Sequence, residues 1–294
     1  MDIKTVAFVG LGVMGEAMCR NIAKKGQWKV VGFDMKREPL ERLKADGVAP
    51  AASLAEAVKA ADVVIMCLPG GKEVDIVARG PGGIIEHVRK GQTVVDMSTA
   101  PPRLMRELAE QFKAKGVSFA DAPVARTRRA AVEGTLSIMV GGSDDDFKRL
   151  KPILDTMGSE VTHCGAIGAG QVVKIMNNMV VFEANMALAE AISIAEAAGV
   201  DGKLLFETMA KGSADSFVLR NHGMKHLVPQ DYPTEAFSVR YAQKDLSYAR
   251  ELAKETGVTA RGADLVAELF DEAVRRGDGD RYVPVIRRGM TKKS

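Results

Sequence analysis

The stretch VAFVGLGVMGEAMCRNI, residues 6–22, decides the fold. It passes from a β-branched and aromatic run through Gly10-Leu11-Gly12-Val13-Met14-Gly15 into a helical pattern whose apolar face is Met14, Met18 and Ile22. In a chain with 29 glycines a GxGxxG pattern is weak by itself. Set between a strand and a helix it acquires a physical meaning. Gly10 permits the tight turn, Gly12 lets backbone approach a pyrophosphate, and Gly15 lets helix and strand pack closely. The helix N-terminus adds aligned N–H donors for phosphate oxygens. Residues Gly10, Leu11, Gly12, Val13, Met14 and Gly15 are therefore candidate cofactor ligands.

The next strand, KVVGFD, ends on Asp34, and that position bears on which dinucleotide is bound. A carboxylate there can accept both hydroxyls of the adenosine ribose and repels a 2′-phosphate, which favours NAD over NADP. Lys36 and Arg37 follow closely and soften that preference.

Outward from this unit, residues 1–164 alternate short apolar runs with amphipathic helical stretches. The runs are TVAFVG, KVVGFD, DVVIMCLP, TVVDMS, SFADAPV, LSIMVGG and EVTHCG. Such alternation predicts a doubly wound, mostly parallel α/β sheet, the Rossmann arrangement. After GAIGAG the character changes. One helical pattern of about 30 residues, without internal Gly or Pro, opens a part with no convincing strand; globular helices usually run ~8–20 residues. Further helices are expected near 202–211, 238–256 and 261–276. The division expected is residues 1–164 as the nucleotide-binding domain and 165–294 as an all-α domain.

Length and composition agree with a two-domain globular enzyme. The chain has 294 residues, 46% hydrophobic and 27% charged, with a formal net charge of +3. Its basic residues are interleaved with acids and lack aromatic alternation, so no nucleic-acid partner is expected. The long helix carries Lys174, Asn177, Asn178, Glu183, Glu190 and Glu196, which argues against a membrane span. Cys19, Cys67 and Cys164 are far apart and form no CxxC, as expected of reduced thiols in a cytoplasmic protein. A strand is reached almost at once, so no signal peptide is expected. The four histidines form no metal-ligand pattern, and no metal is expected.

Several ordered motifs make the chain similar to the β-hydroxyacid dehydrogenase family, whose members include 3-hydroxyisobutyrate dehydrogenases. They are GLGVMG (10–15), LP (68–69), DMST (96–99), DAPV…GTLSIMVGG (121–142), GAGQVVKIMNN (168–178) and KDL (244–246). The resemblance implies a Rossmann domain, a long interdomain helix, a helical C-terminal domain and a homodimer or homotetramer. It also implies that Leu68 and Pro69 line the cofactor, Thr99 sits by the nicotinamide ribose and Lys244 closes over the cofactor.

Hydride exchange with a carbonyl needs a proton donor at the oxygen and firm placement of both partners. Lys174 can be that donor, or a solvated lysine on an amphipathic helix; the family pattern, in which the matching lysine is the general acid/base, favours the first. Asn178 is one helical turn on and projects from the same face, where its amide can orient lysine and substrate; Asn177 is expected to line the substrate pocket. To exchange protons near neutrality the lysine must titrate well below the ~10.4 of a free side chain.

The substrate end departs from the family pattern. Where most members carry Ser-Gly-Gly after DAPV, this chain has Ala125, Arg126 and Thr127. Arg126 and Thr127 resemble the 3-sulfolactaldehyde reductase branch, also associated with succinic semialdehyde, in which this arginine grips the sulfonate. A guanidinium fork suits sulfonate or carboxylate alike. The expectation is thus a semialdehyde reductase with an Arg126 anion pocket. The alternatives are a 3-hydroxyisobutyrate dehydrogenase or tartronate semialdehyde reductase, and a non-catalytic nicotinamide-binding module, against which the intact Lys174, Asn178 and Lys244 argue. Arg128 and Arg129 read as surface charge pairing with Glu133 or Asp144. Phe217 and Phe237 fit either a pocket wall or core packing, and GDGD (277–280) reads as a structural turn.

Overall fold

The computed structural model describes residues 2–234 and 236–290. The chain divides into two compact units, Met1–Lys174 and Ile175–Ser294. The first runs β1 (Thr5–Val9), α1 (Gly15–Lys25), β2 (Lys29–Phe33), α2 (Arg37–Lys44), β3 (Val48–Pro50), α3 (Leu54–Ala60), β4 (Val63–Met66), α4 (Gly71–Arg79) and α5 (Ile84–His87). It continues through β5 (Thr93–Asp96), α6 (Pro102–Ala114), β6 (Ser118–Asp121), β7 (Val124–Ala125), α7 (Arg128–Glu133), β8 (Leu136–Gly141), α8 (Asp144–Leu154) and β9 (Gly158–Gly165).

The strands lie in the order β3-β2-β1-β4-β5-β6-β8-β7, with β9 also paired to β8. Neighbours from β3 to β6 are parallel, whereas β8 runs antiparallel to β6 and β7. Parallel strands covered on both faces need continuous apolar runs. Accordingly β4 (VVIM) is buried at every position. Alternate residues serve opposite faces: Val6 and Phe8 join Met18 and Ile22 on one side, Ala7 and Val9 join Leu108 and Phe112 on the other. The chain leaves β1 toward β2, then returns to β4 on the far side of β1. That reversal opens a crevice beyond the carboxyl ends of β1 and β4, where doubly wound sheets take their ligands.

Helix α9 (Ala169–Ala197) begins in the first unit and continues into the second. There follow α10 (Gly202–Met209), a π-helical segment (Leu219–Leu227), α11 (Val239–Thr256), α12 (Arg261–Arg275) and a 3₁₀ segment (Val283–Gly289). Among the described residues the only strand-like pairing here is a single bridge, Ser238 to Tyr282. By length and hydropathy α9 could cross a membrane. It is instead the core helix of the helical unit: Phe182, Leu188, Ala189 and Ile192 pack with Phe206, Val266 and Phe270.

Candidate active site

The glycine loop turns sharply off β1. Gly10 has φ +90°, open chiefly to glycine, and a Cβ on it would overlap the Cys67 carbonyl and sit 2.9 Å from Leu68 Cδ2. A Cβ on Gly15 would overlap the carbonyl oxygen of Gly10. Gly12 is different, with nothing within 4 Å of an added Cβ. Two glycines are thus demanded by packing, and the third leaves open space beside a helix N-terminus. Met14, the N-cap of α1, supplies no side-chain hydrogen bond to that terminus. Its N–H groups therefore suit an incoming anion.

Asp34, at the end of β2, accepts the N–H of Leu11 at 2.7 Å through Oδ2 and that of Lys36 at 2.8 Å through Oδ1. The acid expected to read the ribose therefore also holds the glycine loop in place. On the other side of β1, the N–H of Leu68 donates to Ser98 Oγ at 2.9 Å, tying the LP turn to the DMST turn. Pro69 is exposed and Thr99 half-buried beside them.

The first turn of α9 is fastened to the ends of β5 and β6. Gln171 accepts the Ala100 N–H through Oε1 (3.1 Å) and donates to the Ser98 carbonyl through Nε2 (2.8 Å). Asp121 accepts the N–H groups of Gly168 and Gln171 at 2.6 and 2.8 Å. Burial pushes its carboxyl up to about 6, although four backbone N–H donors pull the other way. Three residues beyond Gln171 comes Lys174, 9% exposed.

In the helical unit, Asn178 donates from Nδ2 to Asp245 Oδ2 at 2.7 Å and accepts from Asn177 Nδ2 at 3.1 Å. These bonds fix which way its amide faces. Asp245 is 1% exposed, and its other oxygen lies 2.9 Å from Lys244 Nζ. That ammonium also rests 4.1 Å from the Tyr241 ring centroid. Sequence reasoning passed over Asp245, Gln171, Ser98 and Asp121. A buried acid directly after the flagged Lys244 is the signal that could have found the first.

The loop after β7 departs from ordinary geometry at one residue. Arg126 has φ +85°, a region that costs a non-glycine residue roughly 1–3 kcal/mol. Its Nη1 donates to the Thr135 carbonyl (2.5 Å) and to Ser159 Oγ (2.9 Å). Thr127 caps α7, its Oγ1 accepting the Ala130 N–H at 3.5 Å. Ala125 is held in the β7–β8 ladder opposite Ser137. Arg129 pairs with Glu133 at 2.7 Å on the surface.

Residues 5–165 match the family model described as the NAD binding domain of 6-phosphogluconate dehydrogenase. Residues 168–286 match the one described as NAD-binding of NADP-dependent 3-hydroxyisobutyrate dehydrogenase. A probable mitochondrial 3-hydroxyisobutyrate dehydrogenase of Dictyostelium discoideum is 35% identical over 96% of this chain and 89% of its own. The chain belongs to the β-hydroxyacid dehydrogenase family. An NAD-dependent L-serine dehydrogenase of Pseudomonas aeruginosa is 31% identical across 97% of both chains. The solved 3-hydroxyisobutyrate dehydrogenase of Mycobacterium tuberculosis with L-serine superposes with a TM-score of 0.89 at 30% identity, covering 99% of this chain and 100% of that one.

As a β-hydroxyacid dehydrogenase the protein is an oxidoreductase acting on CH–OH groups with a nicotinamide cofactor. The glycine cradle and Asp34 suit the adenosine diphosphate half of such a cofactor, by the openness and hydrogen bonds just described. His222 bonds Asn185 (3.0 Å) and the Tyr282 hydroxyl (3.1 Å), and burial pulls it down to about 4. Cys19 and Cys67 are pushed up to about 12 by burial, which makes them poor nucleophiles. Phe237 stacks on Phe182 at 6.0 Å between centroids, while Phe217 is 55% exposed. In the GDGD turn, Asp278 gathers Arg276, Arg281 and Arg288 at 3.5, 3.4 and 2.7 Å.

Proposed function

We propose that this β-hydroxyacid dehydrogenase works in the cytoplasm, interconverting a short anionic aldehyde and its hydroxy acid with preference for NAD. The observation that carries the reading is the pair Lys174 and Asn178. Both are almost fully buried, four residues apart on α9, and Asn178 is oriented by a buried carboxylate. Burying a lysine costs desolvation, and acid/base chemistry is a use that justifies one placed beside an oriented amide.

When bound, a nicotinamide would supply or take up the hydride exchanged at the carbonyl carbon. In the reducing direction Lys174 gives its proton to the carbonyl oxygen, and in the oxidising direction it takes the hydroxyl proton back. Asn178, with Asn177 at its side, orients the substrate oxygen. Asp245 keeps that amide from flipping, and Lys244 shields the cofactor. Val13 and Met14 belong to the loop that covers the pyrophosphate, while Leu68, Pro69 and Thr99 line the nicotinamide end. Asp34 takes the ribose diol, the basis for preferring NAD.

Arg126, with Thr127 and Ala125, is the substrate's anion pocket, as in the 3-sulfolactaldehyde reductase branch. The positive φ at Arg126 supports this, because a glycine would carry it without strain. The bonds through Nη1 leave the rest of the guanidinium fork to grip sulfonate or carboxylate. The named relatives point to 3-hydroxyisobutyrate and L-serine, which also carry a carboxylate. The test is NADH and NADPH oxidation with sulfolactaldehyde, succinic semialdehyde, tartronate semialdehyde and methylmalonate semialdehyde in parallel. Turnover of an acidic aldehyde with NADH preferred supports the reading. Turnover only with neutral aldehydes overturns it.

The same reading makes the enzyme a homodimer or homotetramer. Val173, Val180, Ala187 and Ile194 recur every seven residues along α9 and are all exposed. An apolar stripe of that period suits a facing helix.

A further inference from the structure

The Asp121 carboxylate has no part in the chemistry above, yet it is completely buried at the end of β6. Its two oxygens take separate N–H groups, Gly168 at 2.6 Å and Gln171 at 2.8 Å. The N–H of Gly170 also acts on it. These donors belong to the start of α9, where N–H groups have no partner within the helix. The fit is close: a Cβ on Gly141 would overlap Oδ1, and one on Gly170 would lie 2.8 Å from Oδ2. Gln171 pins the same turn to Ser98 and Ala100.

We propose that Asp121 is a positioning residue for Lys174, gripping the first turn of α9 so that the lysine is presented in one place. The inference rests on the acid/base role given to Lys174 above. An ionised carboxylate accepts strongly on both oxygens. An amide presents N–H hydrogens in place of one of them, and a neutral acid's hydroxyl oxygen accepts only weakly, so either one loosens that hold.

The charge is kept at a cost. Burial raises the carboxyl from its ordinary 3.8 to about 6, so the folded chain binds this proton more tightly than the unfolded chain does. The stability linked to the group is therefore full below pH 3.8 and is lost as pH rises through 6. At neutral pH the ionised form weighs against the fold, as expected of a residue retained for its grip.

The neighbouring groups are few. From β5, Asp96 is its register partner. From β9, the Cys164 thiol is raised by burial and by the Asp121 charge, and His163 turns to the Gly142 carbonyl and to Asp144. From α6, Arg106 reaches the space beside Gly168. On α9, Lys174 comes three residues after Gln171.

The test compares wild type, Asp121→Asn, Lys174→Ala and His163→Gln, using the most active aldehyde of the panel above. In Asp121→Asn, kcat should fall about tenfold or more, with NADH affinity and Tm at pH 7 near wild type. Amide-exchange protection at residues 168–171 should fall by a similar factor. The wild-type kcat profile should lose activity below about pH 6, by the Asp121 value. His163→Gln should keep that limb and Asp121→Asn should lack it. Should Asp121→Asn not fold, the wild-type and His163→Gln profiles decide: a flat profile down to pH 5 overturns the proposal, as does wild-type kcat in Asp121→Asn. Turnover in Lys174→Ala instead overturns the underlying role of the lysine. An inactive Lys174→Ala beside a fully active Asp121→Asn removes Asp121's role alone.

Discussion

Two loops of the nucleotide-binding unit reach unusual backbone by opposite routes. In residues 10–15 the positive φ falls on Gly10, and neighbouring backbone forbids a side chain at Gly10 and at Gly15. In residues 125–127 the positive φ falls on Arg126, which carries a long cationic side chain. The first loop is dictated by sterics and is common to a whole fold class. The second spends backbone strain on a particular chemical group, and that is where substrate preference is expected.

Substitutions can break this comparison, beginning with the largest effect. Gly15→Ala puts a Cβ into the Gly10 carbonyl, so it should cost about 3 kcal/mol or more and abolish cofactor binding. Thermal unfolding and NADH fluorescence titration would check both. Next comes Arg126→Ala, which should raise KM for an acidic aldehyde roughly 10–100-fold, the worth of a charge-assisted pair. A neutral aldehyde should be little affected; equal changes for both would remove the anion pocket. Arg126→Gly should lose the same affinity but be more stable than Arg126→Ala by about 1 kcal/mol, because glycine accepts φ +85° without strain. The smallest effect is Arg129→Ala. It breaks an exposed pair with Glu133 and should leave Tm and kinetics unchanged.

The comparison also explains what could be read in advance. The glycine loop, the strand–helix alternation and the long helix were legible because each follows from a local period or a steric demand. The helix of about 30 residues expected after GAIGAG is Ala169–Ala197. Strand β3 escaped notice, since three residues ending in Pro50 make no period-two signal and proline suits only a sheet edge. The π-helical turn at Leu219–Leu227 has no pattern that distinguishes it from an α-helix. Lys174, proposed as the acid/base, stood out as a polar group in an apolar helix. Asp121 and Asp245 did not. Each acts by holding another group from a distant part of the chain, Asp121 the turn at 168–171 and Asp245 the amide at 178. Their partners lie 47 to 67 residues away, beyond what local periodicity can report.

The central claim is that buried Lys174 is the proton donor and acceptor of a hydride-transfer reaction. Single-turnover oxidation of bound NADH by the preferred acidic aldehyde, measured for wild type and Lys174→Ala, tests it most directly. The account predicts that Lys174→Ala binds NADH with near-wild-type affinity and loses the hydride-transfer step by about three orders of magnitude, within the range for removing a general acid. Hydride transfer at a near-wild-type rate in that variant would contradict it.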